Sequence, residues 1–360
     1  MDSASRFRVI EVAGWGLDTV ASFQYYPKWV CDNSDPTKIF ATCRYILDEK
    51  PIFTVDGDRT VVEPSALYGT GEKVWVNIKK HNEQLQTFRR NREHKDIFEI
   101  NELNDYLSSI IKNITPVYDS VLLASRPTGD SNRLRISIHS PVTLGVYDSS
   151  GNFTGKVCPT DSDFCYAKEE IPNSSYLEFG EGKYLNLPEE NMQRVVLQGT
   201  DTGTFTYESE KVLPDDTSVT TRFIDIPVTS QTTAEIVTNP NNQTQELKLD
   251  TNGDKISDIT IQPSNIFDPI SYLQVMRKTI EGLDITKARK NGFLNRIDNT
   301  IKAIQKGKID KTKLKVDRFT SILDKRIDRK DPKKPRPHML TKTDAEQLLL
   351  MLDTLLNNLN

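Results

Sequence analysis

The spacing of hydrophobic positions changes twice along the chain. In the first third, "RFRVIEVAG" and "KVWVNI" read as strands, whereas "INELNDYLSSIIKN" sets Leu103, Leu107 and Ile110 at helical intervals. Residues 120–263 keep a period of two. Leu134, Ile136 and Ile138 alternate with polar neighbours, as do Val142, Leu144 and Val146, then Phe205 and Tyr207, then Ile224, Ile226 and Val228. Turn sequences such as "DSSGN" and "GTDTG" separate these runs, so a sandwich of short antiparallel strands is expected. From residue 266 the period is helical. Leu294, Ile297, Ile301 and Ile304 mark one stripe, and Leu348, Leu352, Leu355 and Leu359 mark another. Thr343 is the expected cap of the last helix, with Glu346 at its third position. "DRKDPKKPRPHML" cannot be helix interior and reads as a solvated connection.

These changes of period predict a multi-domain chain with boundaries at 1–115, 116–265 and 266–360. Its 360 residues suit two or three domains, and no apolar run approaches a membrane span, so no transmembrane segment is expected. The net charge of −4 is unevenly spread. Residues 270–360 hold 21 Lys and Arg against 11 Asp and Glu, which leaves 26 against 40 elsewhere. An acidic body repels phosphates, so nucleic acid is not an expected partner. The basic helical tail has two readings: contact with anionic lipid or wall polymer, and the solvated face of a small bundle.

The four cysteines fall into two local pairs, Cys31 with Cys43 and Cys158 with Cys165, each in polar loop sequence. That usage suits disulfides formed outside a reducing cytosol, so an extracellular or cell-surface location is expected. "MDSASRFRVIEVAG" has no basic start and apolar core of a signal peptide, so a missing N-terminal portion is expected as well.

Two short stretches carry candidate chemistry. In "IFTVDGDRTVVEPSAL" an acid sits in a turn after a strand, with Asp58 the first choice and Asp56 the second because both flank Gly57. Thirty-six residues after Asp58, "EHKDIFEINELNDYL" places His94 in a loop before a helix. A carboxylate on one imidazole nitrogen fixes the tautomer, leaving the other nitrogen to take a proton from a nucleophile. His81, in "NIKKHNEQ", lacks a partner motif and reads as a surface residue.

"DGDRTVVEPSAL", "EHKDIFEINELNDYL" and "RVIEVAGWGLDTVASFQYY" resemble segments of the lecithin:cholesterol acyltransferase and GPI inositol-deacylase-like lipases over residues 6–112. The resemblance implies a partial α/β-hydrolase segment over 1–115, with Asp58 as triad acid and His94 as base. It implies a lipid or other acyl ester as substrate. In that family the serine lies earlier in the chain, and no G-x-S-x-G elbow occurs in these 360 residues. The expected protein is thus the C-terminal part of an extracytoplasmic serine hydrolase, inactive as this chain alone. The alternative is a non-catalytic surface or adhesion protein that retains a hydrolase remnant.

The later regions add one candidate ligand. "KLDTNGDKISDITIQP" spaces oxygens at Asp250, Asn252, Asp254 and Asp258, which suits a structural Ca²⁺, although an acidic β-turn has the same composition. "HSPVTLGVYDSSGNFTG" and "QGTDTGTFTYESE" resemble a bacterial secreted β-sandwich module. "GLDITKARKNGFLNRIDNTIKAIQKGK" resembles FIMAH-like helical modules of bacterial exoenzymes.

Overall fold

A computed structural model describes residues 8–32, 42–84, 91–129, 132–139, 141–159, 164–215, 217–238, 244–327 and 340–359, without the side chains of 28–32, 42, 43, 191, 238 and 325–327. Strands β1 (Ile10–Trp15), β2 (Thr19–Asp32) and β3 (Thr42–Thr54) precede a short helix, α1 (Glu63–Ala66). Strand β4 (Glu72–Asn77) runs into α2 (Ile78–Gln84), and a 3-10 turn over His94–Glu99 leads to α3 (Asn101–Ile111). Short strands follow: β5 (Leu122–Leu123), β6 (Arg133–His139), β7 (Gly145–Tyr147), β8 (Phe153–Val157), β9 (Tyr166–Glu169), β10 (Ser175–Phe179) and β11 (Gly182–Pro188). Then come β12 (Arg194–Gln198), β13 (Gly203–Val212), β14 (Ser218–Val228), β15 (Thr233–Thr238), β16 (Gln245–Asp250) and β17 (Ile259–Ile261). Helices α4 (Pro269–Gly282), α5 (Lys287–Gln305), α6 (Ile309–Ile327) and α7 (Lys342–Asn358) close the chain. Strands therefore fill the middle and helices the C-terminal part. No helix among the described residues is long and apolar enough to cross a membrane.

Two compact units divide the chain, and they do not follow the three regions of the sequence. The first holds Met1–Leu134, Ala167–Asn191 and Val212–Thr217; the second holds Arg135–Tyr166, Met192–Lys211 and Ser218–Asn360. Strand pairing is long-range, so a period of two marks a strand without revealing which unit it joins.

In the first unit β1 and β4 pair in parallel, with Ile10 opposite Glu72, and β5 adds to β4 antiparallel. Parallel strands are covered on both faces, which is why "VAGW" at the end of β1 and "VWV" in the middle of β4 are continuous apolar runs. One face packs Val74, Val76 and Leu122 against Leu103 and Tyr106 of α3. The other gathers Ala13, Trp15 and Trp75 with Leu67. Strands β2 and β3 leave this sheet as a long antiparallel hairpin, and Cys31 stands opposite Cys43 in its ladder. The side chains of that pair lie outside the described residues, and the expected bond with them.

In the second unit β6, β13 and β14 lie side by side, and a further sheet has the order β17-β16-β15-β12-β7-β8. Ile136, Ile138, Phe205, Tyr207, Ile226 and Val228 are buried, as alternation predicts. At Ile224 the expectation fails. Asp225 has a left-handed backbone (φ 52°), which shifts the alternation and buries Phe223 instead. The helices enclose Tyr272, Leu273, Met276, Phe293, Ile297, Phe319, Leu348, Leu352 and Leu355. The cap of helix α7 lies two residues before the expected one. Thr341 accepts the Asp344 N–H at 2.9 Å while Asp344 accepts the Thr341 N–H at 3.1 Å, so the capping box is Thr341 and Asp344, not Thr343 and Glu346. Cys158 and Cys165 are joined by a disulfide.

Candidate active site

The loop after β3 is tied to the end of β1 by its backbone. Gly16 N–H donates to Val55 O at 2.9 Å and Leu17 N–H to Gly57 O at 3.1 Å. Both neighbouring glycines are required by close approach. A Cβ on Gly14 would stand 2.4 Å from the Asp58 Cβ, and one on Gly57 would stand 2.5 Å from Thr19 Oγ1. Arg59 is left-handed at φ 82°, and its N–H donates to Thr19 Oγ1 at 2.7 Å. This geometry folds the loop back over the Asp58 carboxylate.

Asp58 is buried, and each oxygen has a separate task. Oδ1 accepts the N–H groups of Thr60 at 3.1 Å and Val61 at 2.7 Å. Oδ2 lies 2.7 Å from His94 Nδ1. The His94 N–H donates to the Asp58 carbonyl at 3.0 Å, so main chain and side chain fix the pair together. Because a carboxylate accepts, the proton belongs on Nδ1 and the lone pair on Nε2. The imidazole is 46% exposed, and among the described residues nothing hydrogen-bonds to Nε2. A ring held in one tautomer with its second nitrogen open is built to accept a proton from an incoming group.

Asp56 does a different job. It accepts Trp15 Nε1–H at 2.8 Å and pairs with Arg126 at 2.6 Å, so the geometry gives His94 to Asp58. Arg126 also meets Glu63, at 3.1 Å, and Glu63 accepts the Trp75 indole N–H at 3.0 Å.

His94 is positioned by residues with no sequence signature. The Asn82 amide accepts the Arg92 N–H at 2.7 Å and donates to the Arg92 carbonyl at 3.1 Å, gripping that peptide as a strand would. Asn82 also donates to Asn173 Oδ1 at 3.1 Å, and Asn91 accepts the Asn173 N–H at 3.0 Å. Arg59 pairs with Glu93 at 3.0 Å and with Glu169. Periodicity cannot reveal such amides, because they serve backbone groups brought together only by the fold.

His81 is not a surface residue. It is 5% exposed in α2, with Nδ1 3.4 Å from Glu102 Oε2, and burial pushes its pKa below the ordinary value against the opposing pull of Glu102. The polar flanks of "NIKKHNEQ" conceal this, because Ile78, Lys79 and Asn82 are buried with it.

The oxygens of the candidate calcium loop are turned onto the loop itself. Asp250 accepts N–H groups from Asn252 at 3.0 Å, Gly253 at 2.8 Å and Lys255 at 2.8 Å. Burial raises its pKa, yet these N–H bonds outweigh burial and the net direction is down. Asn252 Oδ1 accepts the Asp254 N–H, Asp254 accepts the Ile256 N–H, and Asp258 accepts both N–H and hydroxyl of Thr251. Among the described residues no three His, Cys, Asp or Glu side chains are grouped to hold a metal ion. The donor set has the right chemistry for Ca²⁺, but an ion would have to recruit oxygens already engaged by N–H groups.

No family model, curated protein or solved structure matches this chain.

Proposed function

We propose that this chain is the C-terminal part of a serine hydrolase of the lipase or esterase type and supplies the acid and base of its triad. The observation that carries the reading is the Asp58–His94 contact at 2.7 Å, with the second Asp58 oxygen held by two backbone N–H groups. Asp58 keeps the proton on Nδ1. His94 Nε2 then takes the hydroxyl proton of a serine as its oxygen adds to the acyl carbon, and returns it to the departing alcohol. Water attacks the acyl-enzyme by the same route. The serine and oxyanion donors are contributed by a polypeptide segment outside these 360 residues, and the β and helical regions are accessory. The Cys158–Cys165 disulfide supports an extracytoplasmic setting.

A rival reading, a surface or adhesion protein with a hydrolase remnant, is favoured by one observation: the chain has no G-x-S-x-G elbow. Joining the chain to the polypeptide encoded directly upstream separates the two. The complex should hydrolyse short-chain p-nitrophenyl esters and be labelled by a fluorophosphonate. His94→Ala should lower kcat by roughly 10³-fold or more. A folded complex with neither hydrolysis nor labelling overturns the proposal.

A further inference from the structure

Helices α5 and α6 form a hairpin whose turn end is densely cationic. Phe293 and Phe319 join the two helices, with ring centroids 5.4 Å apart. Gly307 is left-handed at φ 63°, and the N–H groups of Gly307 and Lys308 return to Ile304 O at 2.8 Å and Ala303 O at 3.0 Å. That closure turns the chain from α5 directly into α6. Residues 302–318, astride the turn, hold seven Lys and Arg against two Asp. Lys302, Lys306, Lys308 and Lys311 are exposed, and among the described residues neither they nor Lys315 meet an acid. Asp298, one turn before Lys302, pairs with Arg277 instead, at 3.3 Å.

A solvated helix face ordinarily sets opposite charges one turn apart. Here Lys306 follows Lys302 by one turn and Lys315 follows Lys311 by one turn. Lys311 also stands in the first turn of α6, where the helix dipole favours an acid. Each placement lowers helix stability, which a merely solvated face has no need to bear.

We propose that this end of the hairpin binds a flexible linear phosphodiester polymer by charge alone, independently of the Asp58–His94 pair. Charge complementarity selects an anion, and the composition of the patch selects its form. Six of the seven cations are lysines, point charges without a guanidinium fork for base edges. The aromatic residues of α5 and α6, Phe293 and Phe319, are both buried, so the hairpin offers neither a platform for bases nor an anchor for a membrane interface. Ile309 and Leu314 are 41% and 49% exposed, two separate aliphatic chains that make too small a patch for bilayer insertion. A flexible chain with one phosphate per repeat needs only cations, spaced here a helical turn apart.

Fluorescence anisotropy of the full chain with labelled poly(glycerol phosphate) tests this. Wild type should bind, and a log–log plot of affinity against salt should have a slope of about −3.5 for about five phosphate contacts. Lys302→Gln with Lys306→Gln, and separately Lys308→Gln with Lys311→Gln, should each weaken binding roughly tenfold. Both double variants should keep or raise the melting temperature, because they remove like-charge neighbours. Lys287→Gln at the other end of α5 should bind as wild type. So should His94→Ala, and failure of the hydrolase reading would leave this result standing. No binding, binding indifferent to both double variants, or a melting temperature that falls together with binding overturns the proposal. Flotation with phosphatidylglycerol vesicles without polymer binding would make a bilayer the occupant, and tighter binding to duplex DNA than to the polymer would make it nucleic acid. Either result overturns it.

Discussion

At the scale of single residues, Asp58 combines two roles that mutation can separate. It closes its own turn through two N–H bonds and orients His94 through the other oxygen. Asp58→Ala should lower unfolding stability by about 1–3 kcal/mol in urea titration, since buried N–H groups lose their acceptor. Asp58→Asn keeps one acceptor oxygen for the turn, so its effect should fall mainly on His94. A stability loss in Asp58→Asn as large as in Asp58→Ala would refute that division. His81 adds a pH dependence. Its folded pKa is depressed by burial, so between neutral pH and that value the unfolded chain binds the additional proton. Its contribution is therefore intact above the unfolded value of about 6.5 and is lost as pH falls towards the folded value. Urea midpoints at pH 7.5 and 5.5 should differ less in His81→Leu than in wild type. An equal difference in both would assign the acid sensitivity to carboxylates alone.

At the scale of elements, the signals that were readable were those set by local period. Helix α3 lies within the stretch where Leu103 and Leu107 recur, and Leu348, Leu352 and Leu355 of α7 face a core. Ends and interruptions were not readable. The α7 stripe extends equally well from either threonine, and only backbone geometry selects Thr341 as cap. Thr341→Ala should cost about 1 kcal/mol in thermal or urea unfolding, whereas Thr343→Ala should stay within about 0.5 kcal/mol. The reverse ranking would restore the later start. Asp225 interrupts β14 by its backbone, which no pattern of side-chain types announces. The Asp58 and His94 motifs were legible because each lies in a short contiguous segment. Asn82, Asn91 and Asn173 were not, because their partners are distant in sequence. The Asp250 loop shows the same limit: spacing brings oxygens near one another, but hydrogen bonds decide where they point. If calcium joins it, millimolar Ca²⁺ should raise the melting temperature relative to chelator, and Asp254→Ala should remove the rise. An unchanged melting temperature leaves a turn satisfied by its own N–H groups.

At the scale of the whole molecule, the first unit is assembled from segments far apart in the chain, and one charged pair shows what that assembly costs. Arg133 reaches Asp18 across 115 positions, with Nε donating to Oδ2 at 2.8 Å and Nη2 to the same oxygen and to the Asn173 carbonyl at 3.1 Å. The two side chains are 5% and 0% exposed. Both lost their hydration on folding, so the pair itself adds little net stability, yet neither partner tolerates removal of the other. Arg133→Met should therefore cost about 3–5 kcal/mol, because it removes the guanidinium from the buried Asp18 side chain. Asp18→Leu should cost a similar amount by stranding the guanidinium. The double variant should be more stable than either single one, since two apolar chains of comparable volume replace both charges. Urea unfolding of the four proteins at pH 7 gives the coupling directly. Additive losses would mean that water or other polar groups compensate each charge separately, and that this pair does not join the segments of the unit.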